Sequence, residues 1–207
     1  MKKIMMGILL LSVSAVTQAQ IPPAEKRLQS EVGLATGLFM EIGTRNDQFP
    51  GAVLRLSYGL DVRLHEKWSL MPGAGIRTQL GEINHFGWDG GNPDGMTMAD
   101  AFCQARYHFV SDGSRLILGL GPQVSYMLVP DMYYVDADPN DSKNGKPKFK
   151  NWDFALQPSF MVRTANHWKW GIEASIGLRN MLKQYPQYKV SGSTRFVNLM
   201  VSCCRVF

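Results

Sequence analysis

The sequence predicts an all-β protein, an eight-stranded antiparallel up-and-down transmembrane β-barrel. Three observations predict it: a two-residue alternation recurring in eight segments, connections that are alternately short and long, and an apolar face rimmed by aromatics. The alternation is plainest from Leu54 to His65. There Leu54, Leu56, Tyr58, Leu60, Val62 and Leu64 share one parity, and Arg55, Ser57, Gly59, Asp61, Arg63 and His65 the other. A period of two belongs to β-strands. At about 3.3 Å per residue this stretch runs for roughly 40 Å. A strand tilted by about 45° crosses a bilayer in only about 9–11 residues.

The chain opens with Lys2 and Lys3, then a mostly apolar stretch from Ile4 to Val16, then Thr17-Gln18-Ala19. A positive start, a short apolar run and a small-residue cleavage site are the parts of a secretory signal peptide. Residues 1–19 are therefore expected to be removed, residues 20–30 to form a periplasmic segment, and 31–207 to form the barrel. Losing Lys2 and Lys3 takes the formal net charge from +5 to +3, which points to no nucleic-acid partner.

The eight segments lie near residues 31–42, 52–65, 67–80, 98–110, 115–128, 151–164, 168–180 and 194–207. In the third, Trp68, Leu70, Ala74, Ile76 and Leu80 oppose Ser69, Gly73, Gly75, Arg77 and Gln79. In the fourth, Ala99, Ala101, Cys103, Ala105, Tyr107 and Phe109 oppose Asp100, Gln104, Arg106 and His108. The seventh sets Trp168, Trp170, Ile172, Ala174, Ile176 and Leu178 against Lys169, Gly171, Glu173, Ser175, Gly177 and Arg179. The eighth alternates through Val197, Leu199, Val201, Cys203 and Phe207, broken by Arg205, which is expected to snorkel at a rim. Pro72, Pro122 and Pro158 fall on the lipid-facing parity and are expected at bulges or bends.

Glu66-Lys67, Ser111 to Ser114 and Ala165 to His167 are short turns, whereas 43–51, 81–97, 129–150 and 181–193 are long polar links. Short turns at one end and long loops at the other are the layout of an outer-membrane barrel, with turns and both termini in the periplasm. A soluble lipocalin-like barrel would put its apolar side chains inside. Here the polar parity carries Arg55, Asp61, Arg63, Arg77, Arg106, Asp153, Glu173 and Arg179. The apolar parity carries aromatics at its ends: Trp68, Tyr107, Phe109, Trp168 and Trp170 near the turns, and Tyr126, Trp152 and Phe154 near the loops. Two such girdles mark membrane interfaces. The expected location is the bacterial outer membrane.

Three stretches carry a family resemblance: "KWSLMPGAGIRTQLG" (67–81), "LILGLGPQVSYML" (116–128) and "NWDFALQPSFMVRTANHWKWGIEASIGLRNM" (151–181). The W-S-L-x-P strand, the G-P-x-x-x-Y strand and the late strand closing in G-L-x-N resemble those of PorT-like outer-membrane β-barrel proteins. Pro72 and Pro122 match prolines of that family. The resemblance implies the fold and adds little chemistry. Phe207 looks like the terminal signal read by the barrel-assembly machinery, although Cys203, Cys204 and Arg205 depart from its usual form.

Folding each strand pair about its connection predicts inward charges that face one another. Asp153 pairs with Arg179, Glu41 with Arg55, and Arg77 with Asp100, while Arg55 and Arg77 lie side by side. Glu41, Arg55, Arg77 and Asp100 would form an acid–base–base–acid row, part of a salt-bridged plug in a lumen too narrow for a wide pore.

No catalysis is expected. An enzyme acting on lipid A needs a serine, a histidine base and an acid near the outer leaflet. His65, His108 and His167 fall at the turn end. Only His85 lies in a long link, near Glu82 and Asp89, and Ser142 or Ser191 would have to supply the nucleophile. Three free thiols are expected, with Cys103 and Cys203 toward lipid and Cys204 inward. No cofactor or metal is expected, since Asp136, Asp138 and Asp141 match no EF-hand loop. The expected role is structural or adhesive, through loops that carry Met132, Tyr133, Tyr134, Phe86 and Trp88. Lys143, Lys146, Lys148 and Lys150 are placed to meet lipopolysaccharide phosphates, so outer-membrane lipid and lipopolysaccharide are the expected partners. A lipid A-modifying enzyme, a narrow pore or a secretion-assembly component are the rival roles.

Overall fold

Eight long strands close on themselves. The computed structural model describes residues 27–43, 51–82, 95–111, 114–129, 148–164, 167–184 and 194–207. Its barrel strands are β1 (Leu28–Gly43), β2 (Gly51–Arg63), β3 (Trp68–Glu82), β4 (Gly95–Ser111), β5 (Ser114–Val129), β7 (Trp152–Arg163), β8 (Trp168–Gly177) and β10 (Thr194–Val206). They run in the order β1-β10-β8-β7-β5-β4-β3-β2, every neighbouring pair antiparallel. β1 begins at Leu28, three residues inside the stretch expected to be a periplasmic segment. Two short strands lie outside the barrel, β6 (Lys148–Phe149) and β9 (Leu182–Gln184), and pair with each other. No alternation is long enough to reveal them in the sequence.

The register fixes the shape of the wall. Register partners followed round from Glu31 are Gly59, Gly73, Phe102, Gln123, Ala155 and Gly177. One step beyond the Val197–Ile176 pair lies Phe196, whose partner on β1 is Glu41, ten residues from the start. With strands about 4.8 Å apart and about 3.3 Å per residue, that stagger gives a tilt of about 40° and a backbone radius of about 8 Å. Side chains fill a barrel of that bore.

The wall is inside-out relative to a soluble protein. Leu54, Leu56 and Tyr58 are 50%, 57% and 51% exposed, while Arg55 between them is 1% exposed. At the turn end Trp68, Tyr107 and Phe109 form an edge-to-face ladder, with ring centroids 4.9 and 4.6 Å apart, and Trp168 lies 6.3 Å from Trp170. At the loop end Tyr126 packs on Trp152 at 4.8 Å, and Phe154 is exposed beside them. Between Trp168 and Leu178 a strand tilted by about 40° climbs roughly 25 Å, the height of the apolar band of membrane barrels. Arg205 stands on the outer face with its guanidinium 5.9 Å from the Trp168 ring and 5.2 Å from that of Phe207. Phe207 donates its backbone N–H to Ser30 O.

The prolines do not mark bulges. Among the described residues the barrel's register shifts lie at Gly51/Ala52 and Thr97/Met98. β3 pairs with β4 straight through Pro72, and β5 with β7 straight through Pro122 and Pro158. On the opposite side each proline faces a gap: β2–β3 pairing is missing between Gly59 and Val62, β4–β5 pairing between Phe102 and Ala105, and β7–β8 pairing between Leu156 and Ser159. The register is the same on both sides of each gap. A missing N–H takes out hydrogen bonds to one neighbour without adding a residue.

Inside, an apolar cluster gathers toward the loop end around the buried Gln79–Asn198 hydrogen bond of 2.9 Å. Ala35, Phe39, Val53, Met96, Met98, Met127, Met181, Phe196 and Met200 form one buried cluster. The inward parity is therefore not polar throughout, and unbranched methionine suits an irregular gap between opposite walls.

Candidate functional site

Below the methionine cap the lumen holds two tiers of charge. In the upper tier Arg55 and Arg77 are register partners on β2 and β3. Asp100 serves both, its two oxygens 3.4 Å from Arg55 Nε and 3.3 Å from Arg77 Nη2. Asp100 is the register partner of Gly75, two residues along β3 from Arg77, so the contact is diagonal. Glu173 reaches over from β8 to Arg55 Nη1 at 3.4 Å. Arg77 also donates to Ser125 Oγ at 3.1 Å, to Ser175 Oγ at 3.4 Å and to the Met98 thioether at 3.3 Å. The Arg55 guanidinium lies 4.7 Å from the Phe102 ring centre.

The lower tier joins Glu31, Asp61, Arg106 and Lys169 from β1, β2, β4 and β8. Arg106 Nη1 donates to both Glu31 oxygens at 3.0 and 2.9 Å and lies 3.5 Å from Asp61. Lys169 bridges Glu31 and Asp61, with 3.2 Å to the latter. Amides link the tiers. Gln104 accepts from Arg106 Nε at 3.3 Å and donates to the Gln157 carbonyl at 3.5 Å, and Gln157 donates to Glu173 at 3.3 Å. Each tier sets two cations against two carboxylates, the pairing that buried charge needs.

Beside the lower tier, Ser69 Oγ and His108 Nε2 are 2.7 Å apart, each residue 1% exposed. A hydroxyl held against an imidazole is the first half of an activated nucleophile. The parity of Ser69 and His108 was legible, but not their meeting.

The expected site residues are distributed as follows. Arg55, Arg77 and Asp100 come together. Glu41 is not the register partner of Arg55: β1–β2 pairing ends at Phe39–Gly51, Arg55 faces Ala35, and the Cα of Glu41 faces Phe196 on β10. The stagger of the barrel carries β1 past the start of β2, and Glu173 supplies the second carboxylate from across the lumen. Asp153 is buried opposite Ser125. Arg179 lies beyond the end of β8, donates to the Trp152 carbonyl at 3.2 Å and sits over the outward-facing Phe154 ring at 5.9 Å. The expected Asp153–Arg179 ion pair is thus replaced by a rim contact, because the alternation stops at Gly177. Glu31, Asp61, Arg106, Lys169 and Glu173 were outside the expected network. All share the inward parity, but pairing about turns finds only strands that are neighbours.

Cys103, Cys203 and Cys204 are free, with Cys204 buried in the lumen. Among the described residues no group of three or more His, Cys, Asp or Glu is placed to hold a metal. His85, Asp89, Ser142, Ser191, the three aspartates of 136–141, Lys143, Lys146 and the loop aromatics lie outside the described residues.

No protein-family model matches the sequence, and no curated protein matches it. The PorT-like resemblance therefore stands on its motifs alone. Solved structures do match. The outer-membrane enzyme PagL is 14% identical with a TM-score of 0.51, over 84% of this chain and 98% of that one. The outer-membrane protein OprG from Pseudomonas aeruginosa is 12% identical with a TM-score of 0.50, over 89% of this chain and 97% of that one. The chain has the fold of eight-stranded outer-membrane barrels. One expectation is corrected here. The sequence reading excluded catalysis, but an outer-membrane enzyme is built on this same fold. The exclusion rested on where the histidines and serines fall along the chain, and it does not stand against an enzyme with this fold.

Proposed function

We propose that the protein is an outer-membrane barrel whose lumen is a sealed scaffold and whose working surface is the long-loop end, facing outward. The turn end and both chain ends then face the periplasm. The observation that carries this is the inversion of the wall: lipid-sized side chains stand outside while Arg55, Arg77 and Lys169 are buried within. In water such a surface would be an aggregation liability. In lipid it is the expected one. The motifs shared with PorT-like barrels support the same reading, and Phe207 is the contact offered to the assembly machinery.

The charged tiers act as a plug. Each sets its cations against carboxylates and so holds them in place across the bore, and the methionine cluster packs on the loop side of them. Binding or adhesion then belongs to the four long links above the barrel.

The test is reconstitution into vesicles of lipids brominated at defined depths. Trp68, Trp152, Trp168 and Trp170 are expected to be quenched most by bromines near the headgroups, with Trp88 replaced by Phe for clarity. Quenching strongest at the bilayer centre, or none, would refute the membrane placement. Large, steady single-channel conductance in a planar bilayer would refute the plug.

A further inference from the structure

Two cations at the loop-end rim, Lys150 and Arg179, flank a recess of about 300 Å³ whose other described walls are Asn151 and Trp152. Among the described residues no carboxylate lines it. Both cations are held by backbone carbonyls: Lys150 Nζ donates to Asn180 O at 2.8 Å and Arg179 Nη1 to Trp152 O at 3.2 Å. A second pair of backbone bonds fixes the same corner, Lys150 N to Met181 O at 2.8 Å and Met127 N to Asn151 O at 2.8 Å. One donor on each cation is spent in holding its position, and an ammonium and a guanidinium carry further donors. Trp152, Tyr126 and Phe154 form an exposed aromatic shelf beside the recess on the lipid-facing wall.

We propose that this recess binds the phosphate of an outer-leaflet glycolipid. Lys150 and Arg179 would grip the phosphate by charge-assisted hydrogen bonds, Asn151 would contact the sugar, and the shelf would carry the sugar face and the first carbons of an acyl chain. The recess exceeds what a bare phosphate needs and has an apolar side, which favours a phosphorylated lipid over a free ion. The source of the phosphate rests on the orientation proposed above, with the loop end facing out. The chemistry of the recess does not.

The test uses the whole barrel in a neutral detergent, titrated with diphosphoryl lipid A, its dephosphorylated form and phosphatidylglycerol, and read by native mass spectrometry. One diphosphoryl glycolipid is expected to stay bound, while the dephosphorylated form is lost. Replacing both cations (Lys150→Gln with Arg179→Gln) is expected to weaken binding by about tenfold or more. Lys150→Arg should retain it. The shift in gel mobility between heated and unheated samples checks that each variant is folded. Equal binding by the folded double variant, or retention of the dephosphorylated form, overturns the proposal. So does displacement of the glycolipid by millimolar inorganic phosphate, which would make this a free-phosphate site, and so does a preference for phosphatidylglycerol. Labelling a cysteine inserted in link 181–193 on intact cells, with the three native cysteines replaced, tests orientation separately. Glycolipid binding without surface labelling would leave the recess standing and sink the orientation.

Discussion

Arg55 and Arg77 stand directly opposite each other on adjacent strands, two buried guanidinium groups that share one carboxylate, Asp100. Like charges in directly paired positions repel, so Asp100 is the member of the upper tier that the others cannot replace. Asp100→Asn is expected to destabilise the barrel by about 3–5 kcal/mol, the cost of leaving buried charge uncompensated. Replacing Arg77 by Met together with Asp100→Asn is expected to restore much of that loss. Urea unfolding in lipid vesicles measures both. A loss below about 1 kcal/mol for the single variant would be the figure for an exposed pair and would argue against a buried one.

The Ser69–His108 contact invites a smaller and sharper test. Ser69→Ala removes the hydroxyl partner of a buried imidazole nitrogen, and an orphaned buried polar group costs about 1–3 kcal/mol. Ser69→Ala with His108→Leu should cost less than the two single losses summed, because neither group is then left without its partner. Strict additivity of the single variants in the same unfolding assay would show that the two side chains do not interact.

Two lumenal glycines are expected to differ in what they tolerate. A Cβ on Gly121 would fall 2.0 Å from the Cys103 carbonyl oxygen, in the stretch where β4 and β5 lose their pairing beside Pro122. Backbone cannot yield there, so Gly121→Ala is expected to abolish the folded, heat-modifiable band on gels. The atoms nearest a Cβ on Gly59 belong to the Met71 side chain, at 3.2 Å, which can turn aside. Gly59→Ala is expected to fold. Equal yields of the two variants would contradict this.

The three thiols provide a map of the wall. A membrane-impermeant maleimide applied to the barrel in vesicles is expected to leave Cys103, Cys203 and Cys204 unmodified, and all three should react after unfolding. Small lipid-soluble maleimide should reach Cys103 and Cys203 on the outer face before the buried Cys204. Labelling of Cys204 first, read by peptide mass, would place a water path through the lumen and contradict the plug.

Local periodicity made the barrel legible. In Leu54 to His65 each residue's face follows from its parity, and pairing about short turns found Arg55 beside Arg77. The same arithmetic misplaced Glu41, because the centre of the β1–β2 pairing depends on the stagger of the whole barrel and not on the middle of a polar link. The lower tier was hidden for a related reason. Glu31 and Arg106 lie on strands three apart in the wall, and only closure to a bore of about 8 Å radius brings them within reach. Met96 and Met98 share the parity of Asp100 yet are apolar. An interior needs volume as well as charge, and no two-letter pattern records which rung takes which.

The ion pairs also bear on the order of assembly. Glu31 and Lys169 are 138 residues apart, and Arg55 reaches Glu173 only across a curled sheet. Before β1 meets β10, a half-zipped wall exposes its carboxylates and guanidinium groups along an open edge. Lipid rejects such an edge and water accepts it. On the membrane placement proposed above, the charges inside the finished barrel would serve as a latch: they would hold the growing sheet out of the bilayer until the last seam is sewn.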